Sequence, residues 1–265
     1  MKLSVGQMEP QICNPEENLS KVISILEDAD KVKADVLVLP ELCNSGYVFK
    51  TLSEAVDSAE SIPDGPLSNE LLSWSSSDRL VVAGICEQTK EGLFNSAAVF
   101  GNGKHITTYR KIHLFLNESD WFKPGREEPP VIEHHGYRFG VMICFDWIFP
   151  ETARVLALKR AQVILHPANL VLPYCQDAMV TRSIENRVFT ATANRVGTER
   201  GVSFSGFSQI TDIKGNRLCQ MDKEKIGVGS AVLDPKLADD KSITARNDVI
   251  GDRQPNLYTR ITQDD

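Results

Sequence analysis

Residues 35–41, DVLVLPE, form a near-continuous apolar run, the pattern of a strand covered on both faces. A strand with one face in water would alternate apolar and polar positions, so this run demands layers on either side. The flanking residues supply them. Residues 3–9 (LSVGQME) are expected to form a strand. Between the two runs Asn14 is placed to cap a helix, Pro15 suits its first position, Glu17 completes a capping box, and Leu19, Val22, Ile23 and Leu26 make one stripe. A second strand–helix–strand unit follows, with strand 137–144 (YRFGVMIC), a helix opened by Pro150 that turns Ala153, Leu156 and Ala157 inward, and strand 162–166 (QVILH). The alternation predicts an α/β layered core, and two similar halves suggest a duplicated unit.

The remaining pattern predicts helices over 51–60, 67–77 and 175–187, and strands over 80–86, 94–100, 105–110, 188–196, 203–211 and 227–233. Residues 112–130, with Pro124, Gly125, Pro129 and Pro130, predict a long surface loop. No linker or low-complexity tract divides the chain, so 1–265 is expected to be a single domain. Lys and Arg total 29 against 36 Asp and Glu, a net charge of −7, which argues against nucleic acid and anionic membrane as partners. Glu9, Pro10 and Asn14 interrupt any signal-peptide core, and no apolar run approaches the roughly 18 residues of a membrane span, so a cytoplasmic protein is expected. Six cysteines without a CxxC pair are weak evidence for disulfides, and each reads as buried filler or reactive thiol.

Ligands in open α/β sheets gather where strand ends meet loops, and three polar residues stand there. Glu41 ends DVLVLPE, Lys111 follows HITTYR, and Cys144 ends GVMIC before FDWIFPE. Singly, each has an ordinary reading: a carboxylate at a turn, a solvated lysine, a small core hydrophobe. Together they supply a base, a cation for a developing oxyanion and a nucleophile, the parts needed to attack an acyl carbon. Since a free thiol has a pKa of about 8.5, Glu41 is expected to take the proton from Cys144.

In this arrangement the chain resembles the nitrilase superfamily of carbon-nitrogen hydrolases. Its three motifs occur in order as LPELCNSGY, YRKIHLF and GVMICFDWIFPE, and the likeness extends from QMEP near the N-terminus through HPANL at 166–170 to RSIENRVF at 182–189. The short amidase-like members are the most similar. The resemblance implies a four-layer αββα sandwich, Glu41 as general base, Lys111 as stabiliser of the tetrahedral intermediate and Cys144 as the nucleophile that becomes acylated. It further implies the Phe145 N–H as the second oxyanion donor, Glu118 as a second glutamate supporting substrate and Lys111, and Tyr47, Trp147 and Asn169 along the pocket. Read without the resemblance, Glu118 is a solvated loop acid, and the last three are packing or capping residues. The reaction implied is hydrolysis of a small amide through a thioester, with neither metal nor organic cofactor. Such chains usually pair, so a homodimer or higher homo-oligomer is expected, joined through the helices near 150–160 and 175–187.

Other readings stay open at this point. A zinc hydrolase lacks support because the five histidines form no HExxH pattern. A Cys–His pair would join Cys144 to His113 or His166, although His166 suits a strand-end hydrogen bond and His134 with His135 reads as a loop pair. Nitrile hydrolysis and N-carbamoyl amide hydrolysis would use the same three residues, and a non-catalytic binding or regulatory protein would keep them by descent. Loops 43–50, 112–130 and 170–178 shape the pocket and leave the acyl group open.

Overall fold

A computed structural model describes residues 1–263. The first half runs through β1 (Lys2–Gln7), α1 (Pro15–Lys31), β2 (Val36–Val38), α2 (Leu52–Asp57), α3 (Pro66–Trp74), β3 (Leu80–Thr89), β4 (Gly92–Gly101), β5 (Lys104–Arg110) and α4 (Glu118–Trp121). The second contains β6 (Val131–His134), β7 (Tyr137–Val141), a 3-10 turn over Cys144–Ile148, α5 (Pro150–Leu158), β8 (Val163–Pro167), α6 (Cys175–Asn186) and β9 (Phe189–Ala193). A small hairpin of β10 (Thr198–Glu199) and β11 (Val202–Ser203) precedes β12 (Gln209–Thr211) and β13 (Arg217–Gln220), and β14 (Gly227–Val232) returns to the first half.

Two six-stranded sheets result, ordered β14-β1-β2-β3-β4-β5 and β13-β12-β9-β8-β7-β6. In each, three parallel neighbours (β1, β2, β3 and β7, β8, β9) sit between antiparallel strands. The period of two explains the layering. Val36, Val38, Leu80 and Val82 join one core with Phe139, Val141, Val163 and Leu165 of the other sheet. Their alternates Leu37, Leu39, Val81 and Ala83 pack under α1 and α3. With α5 and α6 covering the second sheet, the chain is a four-layer αββα sandwich. Each fully buried aliphatic side chain contributes roughly 1.5–3 kcal/mol, which is why both faces of β2 had to be apolar.

α1 starts at the predicted cap, Asn14 Oδ1 accepting the Glu17 N–H at 3.2 Å, but the capping box is not closed: Glu17 Oε2 accepts from Asn14 Nδ2 at 3.0 Å, and the Asn14 N–H donates to Gln11 O at 3.4 Å. Its buried face, however, is Asn18, Val22, Ile25, Leu26 and Ala29. The expected stripe was rotated, because Leu19 and Ile23 are only partly covered. Several other expectations need correction. β2 stops at Val38, and strand 137–144 stops at Val141, so Glu41 and Cys144 lie in turns beyond the ladders. The helices expected over 51–60 and 67–77 end at Asp57 and Trp74. Strand 203–211 is paired to β9 only over Gln209–Thr211, since Gly206 and Phe207 take positive φ (62° and 54°) and turn the chain out of the ladder. Segment 112–130 contains α4, and β6 just beyond it and β13 were not anticipated. Among the described residues no helix is long and apolar enough to cross a membrane.

Candidate active site

Glu41 follows β2, Lys111 follows β5 and Cys144 follows β7, and all three are buried. The turn at Glu41 packs on β3 where Gly84 removes the side chain: a Cβ there would lie 2.2 Å from the Glu41 Cα. Gly84 N–H donates to Pro40 O at 3.0 Å, Cys43 N–H donates to Gly84 O at 2.8 Å, and Leu42 closes the turn at φ 47°. Lys111 is held by its backbone, donating to Asn95 O and accepting from Gly125 N–H, both at 2.8 Å. Cys144 opens the 3-10 turn at φ 37°, a left-handed conformation that costs a non-glycine residue about 1–3 kcal/mol.

Lys111 Nζ donates at 2.7 Å to both Glu41 Oε1 and Glu118 Oε1. Glu41 Oε1 also accepts from Asn95 Nδ2 at 2.7 Å, whereas its Oε2 is buried with no hydrogen-bond partner. Glu118 sits at the start of α4 and is buried, with Oε1 also accepting the Tyr47 hydroxyl at 2.8 Å and Oε2 the Phe115 N–H at 3.1 Å. Its solvated reading is thereby excluded, and the neighbouring acid Asp120 is the exposed one.

Burial works against the Lys111 ammonium, but the carboxylates of Glu118 and Glu41 outweigh it and hold the group above the ordinary lysine range. Burial, aided by Glu41 and opposed by Lys111, raises Glu118. Burial and then Glu41 push the Cys144 thiol well up, and Lys111 only partly offsets them. The Cys144 thiol, raised in this way, needs a base to act as a nucleophile. It donates to Asn169 O at 3.8 Å.

The side-chain nitrogen and oxygen of Asn169 are both buried and unpartnered. Tyr47 spends its hydroxyl on Glu118, and burial followed by Glu118 raises its pKa. Phe145 stands in the first turn of the 3-10 segment, where N–H groups lack an intrahelical acceptor, and its ring lies 4.7 Å from Phe115. Trp147 is buried in the core between the sheets and α5, its carbonyl accepting Arg182 Nε at 3.2 Å. The Cys–His alternative fails on geometry. His166 Nε2 bonds the Cys144 carbonyl at 2.9 Å, and burial lowers the ring to about 4. His113 Nδ1 is committed to Asp146 at 2.7 Å. His134 and His135 do form a ring pair, 4.1 Å apart, at the turn between β6 and β7.

Sequence reasoning passed over Asn95, the Asp146 carboxylate and the buried pair Arg195–Glu199, which lie 2.9 Å apart. Asn95 left a signal, a lone amide within the strand FNSAAVF. Glu199 Oε1 accepts the Tyr47 N–H at 2.8 Å, so the second half fixes the loop that carries Tyr47.

The carbon-nitrogen hydrolase family profile matches residues 2–241. A protein named nitrilase from Pyrococcus abyssi is 43% identical over 261 residues, covering 98% of this chain and 100% of its own. A 2-oxoglutaramate amidase from Bacillus subtilis is 29% identical, covering 97% of this chain and 98% of its own. Among solved structures, a mutant of the amidase from Nesterenkonia sp. AN1, showing the result of Michael addition of acrylamide at the active site cysteine, superimposes with a TM-score of 0.82 at 23% identity, over 98% of this chain and 99% of that one. The αββα layers, the three motifs at one sheet edge and these likenesses together place the chain in the carbon-nitrogen hydrolase family of the nitrilase superfamily.

Proposed function

We propose that this protein is an amidase that hydrolyses a small amide to a carboxylic acid and ammonia through a thioester on Cys144. The observation that carries this reading is the asymmetry of Glu41: Oε1 is held by Lys111 and Asn95, while the buried Oε2 is left free to accept a proton. Cys144 Sγ bonds to the amide carbon as its proton passes to Glu41. The oxyanion is stabilised by the Phe145 N–H and by Lys111, which keeps one N–H beyond the two it gives to Glu41 and Glu118. When the C–N bond breaks, Glu41 returns the proton to the leaving nitrogen and ammonia departs. Glu41 then takes a proton from water, whose oxygen bonds to the thioester carbon. The C–S bond breaks, and the proton returns to the sulfur as the acid leaves. Asn169 offers the substrate a buried amide with both hydrogen-bonding ends unmet, which cost about 1–3 kcal/mol if left so. Glu118 and Tyr47 hold Lys111 on one side, and Trp147 walls the core beneath the turn.

Ammonia release from a panel of small amides, N-carbamoyl compounds and nitriles tests this, with Cys144→Ala as control. Release from amides that is lost in the control is the expected result, and silence on every amide overturns it. The name of the Pyrococcus relative favours a second reading, nitrile hydrolysis by the same residues. Nitriles consumed without amide turnover would select it. The reading takes the chain as one hydrolase domain acting in the cytoplasm. It also takes the protein as a homodimer joined through α5 and α6, where Leu158 and Ile184 are exposed, with Ile148 exposed at the end of the 3-10 turn just before α5. Light scattering that finds only a 29.4 kDa species would reject the dimer.

A further inference from the structure

Cys144 and Lys111 come from different sheets, so neither strand ladder sets the distance between them. Asp146, two residues after Cys144 and fully buried, spans that gap. Its Oδ2 accepts the N–H of Ile143, the residue before the nucleophile, at 2.9 Å, and the Tyr109 hydroxyl, also at 2.9 Å. Its Oδ1 bonds His113 Nδ1 at 2.7 Å. A carboxylate only accepts, so that nitrogen carries the proton. Tyr109 and His113 stand two residues before and two residues after Lys111. A single carboxylate therefore ties both flanks of Lys111 to the turn that presents Cys144.

Capping the 3-10 turn needs only the bond to Ile143. The two further bonds cross from the other half of the molecule and serve no helix end. Burial and Asp146 hold the Tyr109 phenol well above its ordinary range, so the hydroxyl remains a donor. His113 stacks on Phe149 at 3.7 Å and forms part of the wall of a cavity of about 550 Å³ with Glu151 and Thr152. We propose that Asp146, Tyr109 and His113 are positioning residues that set the Lys111 ammonium at the height of the oxyanion formed on attack by Cys144. The inference rests on the amidase reading above. A reacting geometry displaced by about 1 Å can cost 10²-fold in rate, so the tie has leverage on turnover.

The test uses the full chain and two reactions of the same thiol. Amide hydrolysis builds an oxyanion. Alkylation by iodoacetamide does not: the Sγ–C bond forms as the C–I bond breaks, iodide leaves and the thiol proton goes to Glu41. Tyr109→Phe removes one hydroxyl and keeps the buried ring, and His113→Phe keeps the stack on Phe149 and removes the N–H. Each is expected to lower kcat for ammonia release at least about 10-fold, with KM and the rate of Cys144 alkylation, followed by peptide mass spectrometry, within about twofold of wild type. Unchanged turnover, a loss confined to KM, or alkylation that falls in step with kcat overturns the proposal. A wild-type protein that releases no ammonia overturns the amidase reading itself, a distinct result because it requires no variant.

Discussion

The two halves of this molecule share a plan and divide the chemistry. Each has three parallel strands flanked by antiparallel ones, and each begins its first connection with a proline-led helix, α1 or α5. The loop after β2 carries Glu41, whereas the equivalent loop after β8 carries the neutral Asn169. The loop after β7 carries the thiol. The first half thus provides the charged cluster of Glu41, Lys111 and Glu118, joined by 2.7 Å contacts, and the second provides the thiol, the Asn169 amide and the supporting charges Asp146 and Arg195–Glu199. The difference shows that a duplicated scaffold places groups at one edge twice, while the identity of those groups is free to diverge. It also shows why the site depends on sheet packing: Cys144 comes from one half and Glu41 and Lys111 from the other.

The sharpest break in this division is Cys144→Ala, which empties the second half of its chemistry and leaves the first intact. Turnover is expected to fall by about 10⁴-fold or more, with the thermal midpoint near wild type. A correctly folded variant that retains turnover would refute the division. Lys111→Met attacks the opposite half and should be costly in both respects. It strands two buried carboxylates, so a stability loss of about 3–5 kcal/mol is expected in urea unfolding, along with a fall in kcat of about 10²–10³-fold. A stable, unfolding-neutral Lys111→Met would mean that the charge cluster is not held as described.

A pH experiment separates the halves next. His166, in the second half, titrates at about 4 when folded because burial disfavours its charge, against about 6.5 in an unfolded chain. Between those values the unfolded chain binds a proton that the folded one refuses, so stability falls as pH drops from 6.5 to 4, by about 3 kcal/mol from this residue. Glu118 and Glu60 are raised mainly by burial and act in the opposite sense, equally in wild type and variant. The urea midpoint of His166→Gln should therefore depend less on pH across that window than the wild type, and parallel curves would count against the assignment. The smallest effect concerns the two helix starts. α1 has a side-chain cap and α5, preceded by Phe149, has none. Asn14→Ala should cost about 1 kcal/mol, measured as a shift in the unfolding midpoint, and a midpoint equal to wild type would remove this distinction between the halves.

Much was legible in the residues themselves. The doubly buried strand, the Asn14–Pro15–Glu17 helix start and the three motif residues depend on local pattern and on side-chain chemistry, both of which a linear string carries. Boundaries were less legible. β2 and β7 end short of Glu41 and Cys144 because Gly84 draws the chain into one turn and a φ of 37° at Cys144 starts the other, and neither constraint acts between sequence neighbours alone. Glu118 was visible only through the family motif, since an acid in a proline-rich loop looks solvated until Lys111 and Tyr47 are seen to hold it.

The sequence by itself therefore determined the layered α/β class, the helix starts and the identities of base, cation and thiol, because these follow from hydrophobic period, capping and functional groups. Only the tertiary structure decided the state of those groups. It brought Asn95 to Glu41, Asp146 to Tyr109 and His113, and Glu199 to the Tyr47 loop across separations of up to 152 residues. The Glu118 and Glu41 carboxylates outweigh burial and hold the Lys111 ammonium above the ordinary lysine range, while burial and Glu41 together outweigh Lys111 and push the Cys144 thiol up, and no single segment possesses either balance.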